Sequence, residues 1–62
     1  MKPNEKMKEL RGGKTIGEVA EAINASPDMY EAYERGEREP KPLVKKDIAG
    51  FFGVKVTDIW EN

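Results

Sequence analysis

The side chains able to do chemistry here are almost all charged, and they are unevenly placed. Glu18, Glu21, Asp28, Glu31 and Glu34 fall between Thr15 and Glu34, a stretch without a single Lys or Arg. All 11 basic groups lie outside it, with Arg35, Arg38, Lys41, Lys45 and Lys46 following it closely. The chain has no His and no Cys. Zinc fingers, redox motifs and Ser-His or Cys-His catalysis are thereby excluded. There is no glycine-rich phosphate loop and little room for a pocket, so the carboxylates read as helix-face charges. The chemistry on offer is recognition by charge and hydrogen bonding, with no enzyme activity, no cofactor and no metal.

Such recognition needs a rigid frame, and 62 residues hold at most one domain. A chain of this size buries about 60% of the surface its unfolded form exposes. Without disulfides or metal, its stability must come from an economical helical core, extended where available by a partner chain. The formal net charge of −1 selects no class of partner by itself. No apolar run approaches the length of a membrane span. Lys2 to Lys6 are followed by no apolar stretch of the kind a signal peptide needs, so the expected setting is cytoplasmic.

Five short helices and no strand account for the pattern. Asn4 to Arg11 places Met7 and Leu10 on one face, and Gly12-Gly13 ends it. Thr15 and Glu18 have the spacing of a capping box, which opens a second helix from Ile16 to about Ile23 with Ile16, Val19, Ala20 and Ile23 inward. Asn24 suits the left-handed position after that helix. Ser26-Pro27-Asp28 opens a third helix that Gly36 ends: a cap, a proline where no N–H is needed, and an acid at the positive end. Pro40 and Pro42 bar helix from the loop that follows. Leu43 to Phe52 forms the fourth helix, stopped by Gly53, and Val56 to Trp60 the fifth, with Ile59 and Trp60 inward. Leu10, Val19, Ala20, Ile23, Tyr33, Ile48, Phe52 and Ile59 are expected to make one continuous core, with Val54 anchoring the last turn.

Two short helices joined by Asn24-Ala25-Ser26 make a helix-turn-helix pattern, whose second helix is offered to a major groove. Leu10-Arg11, then Thr15-x-x-Glu18-Val19-Ala20-Glu21-x-Ile23, then Ser26, then Tyr33-Glu34-Arg35-Gly36 and Pro40, stand in a particular order. Ile48-Ala49-x-x-Phe52-Gly53-Val54 and Asp58-Ile59-Trp60 complete it. This series resembles the Cro and phage-repressor (XRE) family of DNA-binding domains over nearly the whole chain. The resemblance implies an all-α, lambda-repressor-like helix-turn-helix domain over residues 1–62, with the helix-turn-helix unit at about 15–34. It implies a sequence-specific transcriptional regulator of phage or mobile-element type that binds double-stranded DNA, with residues 27–35 as recognition helix.

By the same resemblance, Glu34 pairs with Arg11 in a structural role. The positions facing bases are Pro27, Asp28, Met29, Glu31 and Ala32; those facing the backbone are Thr15, Ile16, Ser26, Arg35, Arg38 and Lys41. The last helices of such domains often pair, which implies a homodimer through Phe51, Ile59 and Trp60.

The departures from the family pattern bear on function. Where the family reads bases with Gln, Asn, Arg or Ser, this chain carries none of them, and Ile16 stands where a phosphate-contacting Gln is common. A carboxylate accepts from the cytosine amino group, and Met29 or Ala32 suits a thymine methyl, so these residues do not abolish base reading. DNA affinity nevertheless rests on phosphate neutralisation. An acidic helix-turn-helix unit therefore supports an alternative: a protein-interaction module, or DNA mimic, that meets a basic protein partner. The Gly12-Gly13-Lys14 loop is also shorter than the family's usual one.

Overall fold

A computed structural model of the chain describes residues 2–60. Met1, Glu61 and Asn62, which the expected 1–62 domain includes, lie outside the described residues. Five helices follow one another: α1 (Pro3–Arg11), α2 (Ile16–Ala22), α3 (Pro27–Arg35), α4 (Pro42–Phe52) and α5 (Val56–Ile59). Together they form the all-helical fold that the sequence pattern predicts.

Helix starts follow from local chemistry. Thr15 Oγ1 accepts from the Glu18 amide at 3.0 Å while the Glu18 carboxylate accepts from the Thr15 amide at 3.2 Å, a complete capping box. Ser26 Oγ accepts from the Met29 amide at 3.2 Å. Proline opens α1, α3 and α4. Pro42 corrects the sequence reading, which barred it from helix. At the first helical position its missing N–H costs no hydrogen bond and its fixed φ suits the turn, so it starts α4.

Three helix ends share one closure. Asn24, Gly36 and Gly53 each take a left-handed conformation, with φ of 60°, 77° and 73°. Each is followed by a long return bond to a carbonyl inside the helix: Ala25 to Ala20 at 2.9 Å, Glu37 to Ala32 at 2.9 Å, Val54 to Ala49 at 3.0 Å. The left-handed residue itself donates to Glu21, Tyr33 or Gly50. These paired bonds satisfy carbonyls that would otherwise be left open. For α2 the closure comes one residue earlier than the pattern suggested, leaving Ile23 as the terminal, non-helical residue.

α3 packs against both α1 and α2, and α5 bridges α4 and α1. The buried cluster holds Met7, Val19, Ala20, Ile23, Tyr30, Tyr33, Ile48, Ala49, Ile59 and Trp60. Leu10, Phe52 and Val54, expected at the centre, are half-buried and pack on its margin. The expected core omitted Tyr30, which is among the largest fully buried side chains. Positions 30, 33 and 34 share the inward face of α3, and the Tyr30 and Tyr33 rings meet edge to face at 6.5 Å.

Candidate nucleic-acid interface

The site is built outward from an ion pair. Arg11 Nε donates to Glu34 Oε2 at 2.7 Å and Nη2 to Oε1 at 3.2 Å, a two-pronged contact between the end of α1 and the end of α3. Glu34 is 4% exposed. The third prong, Arg11 Nη1, donates to the Lys14 carbonyl at 2.8 Å. The Gly12–Lys14 loop is therefore tied to the same guanidinium that holds α3. This bond to Glu34 pushes the Arg11 pKa above its ordinary value. Burial, with Glu34's carboxylate close by, pushes the Tyr30 hydroxyl well above the usual tyrosine range. That hydroxyl has no partner of hydrogen-bonding geometry among the described residues.

With its inner face so anchored, α3 turns its other positions outward. Pro27 and Asp28 are exposed in the first turn; Met29, Glu31 and Ala32 are half-buried. Arg35 Nη2 donates to Glu31 Oε2 at 3.1 Å, one helical turn back. Arg38, beyond the helix end, returns to place Nη1 3.7 Å from the Met29 sulfur. Arg35 thus lies with Glu31 on the outer side of α3, and Arg38 lies against Met29 at the flank, where Met29 packs on the margin of the core. The Glu31–Arg35 pair was readable from its spacing of four; the return of Arg38 carries no such local signal.

The other expected backbone-facing residues are distributed as follows. The Thr15 and Ser26 hydroxyls serve as caps at the starts of α2 and α3. Ile16 is half-buried against the core. Lys41 is exposed just before α4. Lys45 is engaged otherwise: its Nζ lies 2.7 Å from Glu39 Oε2 and 5.5 Å from the Trp60 ring centre. That salt bridge holds the Glu39 carboxyl below its ordinary pKa. Sequence reasoning missed this arrangement, because a separation of six residues spanning a proline-containing loop has no periodic signature.

The surface expected for pairing two copies differs from the sequence reading. Trp60 is 8% exposed and Ile59 2%, inward as their place in the last turn predicts, so of the residues implied for pairing these two are covered within the chain itself. Both belong to the core, Trp60 lying beneath the Lys45 ammonium, so neither offers side-chain area to a partner. Phe51 retains 37% exposure, and Leu43, which the sequence reading left unremarked, 75%.

A capped helix pair joined by a left-handed Asn24 turn, with its second helix pinned by a buried ion pair and edged by arginines, defines a helix-turn-helix domain. A family profile described as helix-turn-helix matches residues 6–59, and the chain belongs to that family, of the XRE/Cro-repressor type. The family is one of DNA-binding transcription regulators. The comparison with curated proteins returned no match. No described helix is long and apolar enough to cross a membrane.

Proposed function

We propose that the chain is a sequence-specific regulator of phage or mobile-element type, acting in the cytoplasm as a single domain over 1–62. α3 enters the major groove, with Pro27, Asp28, Met29, Glu31 and Ala32 toward the bases. Thr15, Ile16, Ser26, Arg35, Arg38 and Lys41 line the backbone. The observation that carries this reading is the pair of arginines set against α3, Arg35 of its last turn beside Glu31 and Arg38 of the following loop beside Met29. It supplies cationic groups where the acidic segment has none, and phosphate neutralisation dominates affinity. The accompanying proposal is a homodimer through Phe51, whose two-fold axis sets the half-site spacing.

Titration against mixed-sequence duplex at about 50 mM salt tests the reading, because nonspecific binding is strongest at low salt. Complex formation that weakens steeply as salt rises supports it. Absence of a complex at high micromolar protein favours the protein-interaction module instead, a reading motivated by the exposed carboxylates of Glu18, Glu21 and Asp28. Selection from a random duplex pool then identifies the preferred sequence.

A further inference from the structure

By composition, Lys45 belongs with the cations that follow the acidic unit, but its surroundings set it apart. Its side chain is 20% exposed while the Glu39 side chain it holds is 76% exposed. The ammonium sits within the range of a favourable cation–π contact with Trp60, itself a core residue. A lysine poised for phosphate extends into solvent; this one is folded between an indole and a carboxylate.

What it grips is the middle of the segment joining α3 to α4. That segment is fastened at its start, where the Glu37 and Arg38 amides donate to Ala32 at 2.9 and 3.4 Å. At its far end Pro40 is buried and Lys41 leads into α4. Glu39 stands between, flanked by Arg38 and Lys41. A bond from Glu39 to Lys45 ties the exposed middle of the loop to α4 and, through Trp60, to the core.

We propose that Lys45 is a positioning residue: through Glu39 it orders the loop that carries Arg38 and Lys41 to the DNA backbone, and does not itself meet phosphate. The inference rests on the DNA-binding reading above, but its structural half does not. Ordering the loop before binding reduces the entropy lost when Arg38 and Lys41 engage. The same ion pair offsets a carboxylate that would otherwise stand uncompensated between the two cations.

The test has one arm without DNA and one with it. In free protein, amide relaxation is measured at Glu37, Arg38, Glu39 and Lys41 in wild type, Glu39→Gln, Lys45→Met and Lys45→Arg. Wild type and Lys45→Arg should show order parameters near about 0.85, and the other two should fall toward about 0.6. Unchanged order in Glu39→Gln overturns the proposal, whatever Lys45→Met shows. Glu39→Gln changes an exposed side chain, so this arm stays decisive should Lys45→Met fold poorly. In the second arm, Lys45→Met should weaken duplex binding about two- to five-fold at every salt concentration, the range of a surface ion pair. Its log–log salt slope should match wild type; a slope shallower by about 0.9 makes Lys45 a phosphate contact and overturns the proposal. Loosened loops in the variants, with no DNA complex from wild type, would uphold the anchor and overturn the DNA reading.

Discussion

The guanidinium of Arg38 rests 3.7 Å from the sulfur of Met29, nine residues earlier, so a loop cation lies against the first turns of α3. Removing Arg38 together with Lys41 should weaken binding on every duplex. The log–log salt slope should become shallower by up to about two, since each phosphate contact contributes about 0.9. Titrations at three or more salt concentrations measure both effects. An unchanged slope would place the DNA backbone elsewhere.

Asp28→Gln with Glu31→Gln should act in the opposite direction. Both substitutions remove carboxylates from the side of α3 proposed to face the groove, and the second also releases Arg35 from its 3.1 Å ion pair. Binding to mixed-sequence duplex should strengthen. If either carboxylate reads a cytosine, preference among sequences should relax as well. Competition between specific and random duplexes separates the two effects.

Ala20 is fully buried where α2 meets α3. Ala20→Leu should destabilise the domain by about 1–3 kcal/mol through overpacking. A thermal melt indistinguishable from wild type would be incompatible with this placement of the helix pair.

Tyr30 gives the stability a dependence on alkaline pH. The unfolded tyrosine ionises near pH 10, whereas burial holds the folded hydroxyl protonated to higher pH. The unfolded chain therefore binds fewer protons above that point, and stability should fall as pH rises past about 10. Tyr30→Phe should remove this part of the alkaline loss. Near neutral pH the variant should cost no more than about 1.5 kcal/mol, the range of one hydrogen bond, since the hydroxyl it deletes lies close to the Glu34 carboxylate. Urea melts at pH 7 and above pH 10, on wild type and variant, supply the comparison.

The proposed homodimer narrows to one exposed aromatic. Sedimentation at high concentration should show mass above 7.0 kDa, and Phe51→Ser should return the protein to monomer. A single monomeric species at all concentrations in wild type would remove the dimer.

Much of the frame was legible because its signals are local. The Thr15–Glu18 box, the Ser26-Pro27 start and the Asn24, Gly36 and Gly53 stops all act within a few residues of themselves. Arg11 and Glu34 were placed together by resemblance, since nothing local joins residues 23 apart. Tyr30 was absent from the expected core although Tyr33, three residues on along the same face of α3, was placed in it; both are buried. Ile59 and Trp60 are inward as their place in the last turn predicts, which reduces to Phe51 the pairing surface implied by the resemblance. The clasp of Glu39 to Lys45 had no signal at all, being a product of how the proline-containing loop folds.

The three self-closing helix ends have a consequence for how this domain can change. Thr15 and Ser26 cap α2 and α3, Asn24 turns the chain between them, Ala20 is buried, and α3 is held by Arg11 through Glu34. None of these is among Pro27, Asp28, Glu31 and Arg35, whose side chains form the outer face of α3. Only Thr15 and Ser26, caps that are also proposed to line the DNA backbone, belong to both frame and interface. The outer face can be rewritten, by mutation or by design, while the scaffold that presents it keeps its pitch.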